Sequence, residues 1–157
     1  MSGADLPTEA DYPFWTDEKV RISDTDHNGH VNNTATGQYC EAGRGEMMLQ
    51  VAGSRGAGRG FAMAVARVAI DYRREIHWPG RVRVGTRVAR IGRSSVTVEQ
   101  GLFWWAPEAT AGTPGTLFAT AESVMVIMDP VTRRSMPMPE VLRERFAALA
   151  GPGGLPA

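Results

Sequence analysis

The chain contains one cysteine, one lysine and no excess of charge of either sign. Because Cys40 has no second cysteine to pair with, an internal disulfide is excluded and a reducing, cytoplasmic location is predicted. The 17 basic and 17 acidic side chains cancel, which gives no electrostatic basis for nucleic acid or a membrane surface as a partner. No apolar run approaches the roughly 20 residues of a membrane-spanning helix, and no basic-then-apolar leader predicts secretion.

Polar side chains are instead concentrated at residues 24–33, which read DTDHNGHVNN. Alternating apolar residues just upstream predict a strand over residues 19–23, and helical spacing downstream predicts one long helix over residues 32–51. The polar segment therefore connects a strand to a helix. Three glycines lower the helix propensity of the second element, which predicts that another element packs closely against it: Gly37, Gly43 and Gly45.

The polar segment offers groups suited to acyl transfer. In an extended connection Asp26, Asn28 and His30 project to the same side, because side chains two residues apart share a face. Gly29 allows the backbone to bend there or to approach a ligand closely. A helix that begins near Asn33 points free N–H groups and its positive end at this cluster, where they suit a developing oxyanion.

Two other interpretations of the same segment must be weighed. Asp24, Asp26, Asn28 and Gly29 match the opening of a calcium-binding EF-hand loop, but the acidic residue required at its end is Ala35. Calcium binding of that kind is therefore not expected. Asp26 also suits a simple turn or cap residue, and from the residues alone this alternative is as good as a catalytic role.

A second charged segment, DYRRE, occupies residues 71–75. If it is a strand, Glu75 shares one face with Asp71, Arg73 and His77, and an exposed ladder of charges is the alternative to a functional role for Glu75. A metal held by Asp26, His30 and Glu75 stays open as a further alternative, although their spacing matches no standard zinc pattern.

The remaining pattern predicts strands followed by a short helix. Arg93, Ser94 and Ser95 lie at the turn between two of these strands, where a guanidinium and two hydroxyls suit phosphate oxygens, although an ordinary polar turn explains them nearly as well. The order of strand, long helix, four antiparallel strands and short helix predicts an α+β domain whose antiparallel sheet wraps around one long central helix. The predicted parts are an arm at 1–18, a loop at 53–60, a domain at 19–150, strands within 61–128, a helix after Pro139 and a disordered tail at 151–157.

The motifs DTDHNGHVNN and DYRRE, together with IGRSS at 91–95, resemble those of hotdog-fold acyl thioesterases. The similarity is to acyl-acyl carrier protein thioesterases and bacterial acyl-CoA thioesterases, with 4-hydroxybenzoyl-CoA thioesterases as a sister group. This resemblance implies that Asp26, Asn28, His30 and Glu75 form the catalytic set. Only Asp26 is supported by the sister group as well, because that group lacks the histidine and asparagine pair.

The resemblance also implies a function and an assembly. We expect hydrolysis of an acyl-CoA or acyl-acyl carrier protein thioester, with Asp26 as general base or nucleophile, the backbone of Asn33 in the oxyanion hole and no cofactor. Related enzymes fuse two hotdog units where this chain has room for one, so a homodimer or homotetramer is implied. Hotdog hydratases or dehydratases, and a non-catalytic acyl-thioester binding module, are the alternatives.

Overall fold

The computed structural model describes residues 6–53 and 60–155. The elements in chain order are β1 (Phe14–Lys19), α1 (Asn33–Ala52), β2 (Ala62–Tyr72), β3 (Arg81–Ile91), β4 (Ser95–Trp105), β5 (Thr116–Met128) and α2 (Glu140–Ala147). Single turns of 3-10 helix lie at Glu9–Asp11 and Ile22–Asp24. Most of the loop predicted at 53–60 lies outside the described residues.

The five strands form one antiparallel sheet in the order β1-β3-β4-β5-β2. The strands after α1 were predicted from alternating apolar residues, and the structure places those residues of β3 and β4 in the core. The predicted α+β class, with a sheet packed against one long helix, is confirmed. Both ends of the sheet order are edge strands, because β1 and β2 each pair with one neighbour only.

Helix α1 runs from Asn33 to Ala52, close to the predicted 32–51, and packs across the inner face of the sheet. Asn32 caps it by accepting a hydrogen bond from the backbone N–H of Ala35 at 2.8 Å. Gly43 explains how closely the helix approaches the sheet, since a Cβ there would lie 2.6 Å from Gln100 Nε2. The close packing predicted from the helical glycines is thus confirmed at Gly43.

The core beneath α1 consists of two apolar clusters. The first surrounds Tyr39 and Phe118 near the start of the helix, and the second surrounds Met47 and Phe146 near its end, where α2 covers the sheet. A third, aromatic cluster lies on the outer face of the sheet, where Tyr12 packs over Gly85 and Gly101: Tyr12, Phe103 and Trp105, with Trp15 against them.

The position predicted for the first strand, 19–23, is wrong. The strand is Phe14–Lys19, and the following Ile22–Asp24 is a turn of 3-10 helix in which Ile22 is exposed. The turn forms because the Asp24 carboxylate accepts a hydrogen bond from the backbone N–H of Arg21 at 2.8 Å. Consequently the arm predicted at 1–18 is wrong for residues 14–18, which are paired with β3.

The tail predicted to be disordered at 151–157 is ordered over residues 151–155. Leu155 packs against the second apolar cluster, and Gly151 lies against the Arg87 side chain. The last two residues lie outside the described part. Within residues 6–53 and 60–155 no helix is long and apolar enough to cross a membrane.

Candidate active site

The segment at 24–33 folds into a tight turn built around the Asp26 carboxylate. Its Oδ1 accepts hydrogen bonds from the backbone N–H groups of Asn28 at 2.8 Å and His30 at 3.2 Å, and the Asp26 N–H donates to the His30 carbonyl at 2.8 Å. Gly29 supplies the turn with a φ of 80°, as its place in the sequence predicted. Asp26 therefore acts as a turn cap, which was the alternative to catalysis, and keeps its second carboxylate oxygen outside this pair of bonds.

The electrostatics of the turn favour an ionised Asp26. Partial desolvation raises its pKa, but the N–H donors of Asn28 and His30 and the nearby His30 and His27 rings outweigh that effect. The pKa of Asp26 consequently lies below its usual value. An ionised carboxylate at neutral pH is the form that a base or nucleophile requires.

A buried pair fixes the base of this turn to α1. Asp24 is 5% exposed, and its Oδ2 accepts a hydrogen bond from the Tyr39 hydroxyl at 2.7 Å. The Asp24 carbonyl accepts from the backbone N–H of Asn32 at 2.9 Å, immediately before the helix begins. Burial, followed by the Asp24 carboxylate, raises the pKa of Tyr39, so the phenol stays a donor. Asp24 therefore holds the turn at the start of α1.

His30 and Glu75 meet although 45 residues separate them in sequence. The His30 Nε2 lies 3.4 Å from Glu75 Oε2, and the His30 and His77 rings meet edge to face at 4.9 Å between centroids. Backbone contacts hold the two segments together, because the Val31 N–H donates to the Ile76 carbonyl at 2.9 Å. The predicted association of Glu75 with the polar turn is therefore present in the geometry, while the predicted strand through Glu75 is not, since β2 ends at Tyr72.

The first turn of α1 opens toward a cavity of about 670 Å³. Asn33 and Glu75 line it, whereas Asp26, Asn28 and His30 lie beside it in the turn and are not part of its lining. The helix provides no acceptor for the N–H groups of Asn33 and Thr34, because the Asn32 cap is used by Ala35. The lining as a whole combines basic, acidic and apolar groups: Val31, Asn33, Thr36, Tyr72, Arg73, Arg74, Glu75, Ile76, His77, Trp104, Thr116 and Phe118.

The turn at Arg93, Ser94 and Ser95 lies at the opposite end of the sheet from this cavity. It joins β3 to β4 and is closed by the Gly92 N–H donating to the Ser95 carbonyl at 2.8 Å. The cavity lies at the other end of these strands, where Trp104 of β4 lines it. With about 3.3 Å per strand residue, roughly 30 Å separates the two sites in one chain. One chain alone does not bring Arg93 to Asp26.

Two residues of this region were missed by the sequence interpretation. His77 was assigned to a charged face of a strand, but its ring packs on His30 and its Nδ1 lies 3.3 Å from the Gly29 carbonyl oxygen. Tyr72 was given no role of its own, but its hydroxyl donates to the Asn33 carbonyl at 3.4 Å. Pro79 and Gly80 follow His77 closely and are typical of a turn, and they were the signal available for His77.

Cys40 is fully buried on α1, and burial raises the pKa of its thiol to about 11, which excludes it as a thiolate nucleophile at neutral pH. Within the described ranges, no group of three or more histidine, cysteine or acidic side chains is placed to hold a metal ion.

Comparisons with known proteins agree with this architecture. A family model described as the thioesterase-like superfamily matches residues 20–146. A Pseudomonas aeruginosa protein structure is 27% identical, covers 93% of this chain and 97% of its own, and gives a TM-score of 0.80. A predicted thioesterase from Bacillus stearothermophilus is 28% identical, with coverages of 92% and 98% and a TM-score of 0.75.

A thioesterase from Thermus thermophilus, solved with coenzyme A and Zn, is 30% identical, with coverages of 88% and 95% and a TM-score of 0.71. A search of curated protein sequences gives no match. The resemblance to hotdog-fold thioesterases is confirmed. Since the matched segment spans well over half of the residues, this chain belongs to the thioesterase-like superfamily.

Proposed function

We propose that this protein hydrolyses acyl-CoA thioesters in the cytoplasm and acts as a homodimer. Family membership supports thioester hydrolysis in general, and the coenzyme A bound to the Thermus thermophilus relative favours CoA over an acyl carrier protein as the thiol carrier. The observation that carries the proposal is the convergence of an ionised Asp26 turn, the His30–Glu75 pair and a helix N-terminus beside one cavity.

The proposed chemistry assigns each group one task. Asp26 either removes a proton from the water that attacks the thioester carbonyl or attacks that carbonyl itself, while the N–H groups of Asn33 and Thr34 stabilise the oxyanion. In both routes the C–S bond breaks and the carrier leaves as a thiolate, and in the second route water then hydrolyses the anhydride to the acid and free Asp26. Glu75 and His30 orient the water, and Asn28 holds the turn. The basic rim at Arg73 and Arg74 suits the phosphates of the carrier.

The two routes open to Asp26 differ in where oxygen from water arrives. In a single turnover in ¹⁸O-labelled water, label in the Asp26 carboxyl group marks a mixed-anhydride intermediate. Label confined to the product acid is expected both for direct attack by water and for attack of water on the acyl carbonyl of an anhydride, so only label in Asp26 is diagnostic.

The homodimer is supported by the edge strand β2. It is 11 residues long, and its sheet edge is unpaired in one chain. Three of its apolar side chains are exposed by 43% to 50%: Val65, Val68 and Tyr72. A long apolar edge of this kind is a template for another strand.

Antiparallel pairing of β2 with its copy has a consequence for the substrate site. Tyr72 would lie opposite Ala62 of a second copy, and Ala62 pairs with Met128, close to the Ser94 carbonyl that binds the Ile127 N–H. The turn at Arg93, Ser94 and Ser95 of a second copy then lies at the Asp26 end, where it would bind CoA phosphate. In this arrangement Arg93 of one chain and Asp26 of the other lie at the same end of the paired strands.

The decisive experiment is free-thiol release across a panel of acyl-CoA thioesters, read beside enoyl absorbance. We expect thiol release without change in enoyl absorbance. A change in enoyl absorbance without thiol release would favour a hydratase or dehydratase, and thermal stabilisation by acyl-CoA without any turnover would favour a binding module. Faster release from acyl carrier protein than from CoA would overturn the assigned carrier.

A further inference from the structure

Arg44 is a buried cation whose charge has no partner in the described structure. It lies near the middle of α1, is 8% exposed and donates from Nη1 to Ser123 Oγ at 3.2 Å and to Gln100 Oε1 at 3.5 Å. Both acceptors are neutral. No carboxylate in residues 6–53 or 60–155 lies within 4.0 Å of its guanidinium.

An unpaired buried charge is expensive, and apolar replacement of such a group is often neutral or stabilising. Its presence therefore calls for an anion that is absent from this single chain. The thioesterase chemistry proposed above leaves Arg44 unused, because the N–H groups of Asn33 and Thr34 lie about three helical turns away.

The inner face of β2 runs from the cavity toward Arg44, and we call this face the trough. Tyr72 and Thr36 line the cavity, and from there the inner face of β2 continues through Ile70 to Val68. Val68 pairs directly with Ser123, which accepts the Arg44 hydrogen bond, and directly opposed residues share one face of a sheet. Tyr72 and Val68 are 49% and 43% exposed in a single chain, while Ile70 between them packs partly against the first apolar cluster.

Helix α1 and strand β2 give nearly the same length for this trough. Along α1, eight residues separate Thr36 from Arg44, which is about 12 Å at 1.5 Å per residue. Along β2, four residues separate Tyr72 from Val68, which is about 13 Å at 3.3 Å per residue. The guanidinium therefore lies at the far end of a path that begins at the cavity wall formed by Thr36 and Tyr72.

We propose that Arg44 binds a carboxylate at the far end of the acyl group, so that the preferred substrates are thioesters of dicarboxylic acids. The proposal rests on the thioesterase function above and specifies its substrate class. Carbon–carbon bonds of about 1.5 Å give a rise of about 1.3 Å per carbon in an extended chain, and the trough then takes about eight to ten carbons. The apolar side chains of β2 contact the methylenes, and Arg44 supplies the two parallel donors that a carboxylate accepts.

The kinetic test compares adipoyl-, suberoyl- and sebacoyl-CoA with hexanoyl-, octanoyl- and decanoyl-CoA. We expect wild-type kcat/KM to favour the suberoyl or sebacoyl thioester over the plain thioester of equal length. Arg44→Met should lower that preference by about 10- to 100-fold while hydrolysis of plain thioesters persists, and Arg44→Lys, which keeps the charge, should retain part of it. Equal preference in wild type and Arg44→Met would overturn the proposal.

A binding measurement separates this site from the reaction itself. Free suberate or sebacate should raise the Tm of the wild-type protein and not that of Arg44→Met, whereas octanoate should act equally on both. If no thioester releases thiol, the proposed hydrolysis fails, and the diacid Tm shift still decides the Arg44 site. If Arg44→Met dissociates the dimer and diacids shift no Tm, the guanidinium pairs with a carboxylate of a second copy and the substrate assignment is wrong.

Discussion

The two ends of helix α1 have opposite characters. At its N-terminal end a polar turn, a buried Asp24–Tyr39 pair and a cavity lie beside the helix start. At its C-terminal end α2 closes an apolar cluster that contains Met47 and Phe146, both fully buried. The first end, which we call the site end, keeps polar groups accessible. The second end, which we call the α2 end, buries apolar side chains. We therefore expect substitutions at the site end to affect mainly activity and substitutions at the α2 end to affect mainly stability.

The largest effect is expected at the site end. Asp26→Asn should lower kcat by about 10²- to 10⁴-fold, because the amide can still accept the Asn28 and His30 N–H bonds but is neither base nor nucleophile. Asp129→Asn is the matched control, since Asp129 likewise accepts two backbone N–H groups, of Val131 and Thr132. Steady-state thiol release measures both, and near wild-type turnover in Asp26→Asn would sink the mechanism.

At the α2 end the large effect should be on stability instead. Phe146 is fully buried, and Phe146→Ala should lower the free energy of unfolding by about 3–5 kcal/mol through the cavity it leaves. Val141→Ala, on the exposed side of the same helix, should change it by less than about 0.5 kcal/mol. Urea unfolding gives both numbers. A loss of kcat in the folded Phe146→Ala enzyme would show that the two ends are coupled.

The Tyr39 hydroxyl tests whether the site end also contributes stability. Tyr39→Phe leaves the buried Asp24 carboxylate without that donor, which should cost about 1–3 kcal/mol. Because Asp24 holds the turn at Asn32, kcat should fall as well, with KM little changed. A matched Tyr12→Phe substitution on the outer face should leave kcat unaltered. If kcat stays constant in Tyr39→Phe, the Asp24 brace serves folding alone.

The sequence supported the fold and part of the site for identifiable physical reasons. Strong two-residue alternation predicted β3 and β4, and Asn32 with its helical spacing predicted the start of α1 within one residue. The first strand was misplaced because Val20 and Ile22 alternate like a strand, while the Asp24 side chain favours a turn there. Local patterns carry no information on such competition between side chain and backbone.

Contacts between segments distant in sequence were harder to predict. The Glu75 association with His30 came from resemblance and not from spacing, and the packing of His77 on His30 had no local pattern to predict it. Arg93 illustrates the same limit. Its turn was assigned correctly from Gly92 and the flanking strands, but its distance from Asp26 depends on the full sheet.

Arg93 tests whether the α2 end of one chain also contributes to substrate binding. If β2 pairs with its copy, Arg93→Ala should raise KM for acyl-CoA by about three- to tenfold with little change in kcat, because a phosphate contact is lost. Arg90→Ala, another exposed arginine near the same end of β3, is the control. Val65→Glu, at an exposed position of β2 outside the acyl path, should dissociate the dimer in sedimentation analysis and abolish the Arg93 effect, whereas Val131→Glu should not. Unchanged KM in a dimeric Arg93→Ala enzyme would place the phosphates elsewhere.

The smallest expected effect is on pH dependence, and it compares the same two aspartates. Hydrogen bonds from backbone N–H groups lower the pKa of Asp129. Desolvation raises the pKa of Asp26, but the hydrogen bonds that its carboxylate accepts and the nearby histidines outweigh this effect, so the pKa values of both aspartates lie below the usual 3.8. Each carboxylate therefore adds stability that is present above about pH 3.8 and is lost as the pH falls through its folded pKa. Only protonation of Asp26 should also lower the rate, so kcat/KM should fall as the pH drops below 3.8. Asp129→Asn should alter the acid unfolding curve, but it should leave the acid limb of kcat/KM in place because Asp129 belongs to the α2 end. A displaced acid limb would mean that the rate reports folding and not the ionisation of Asp26.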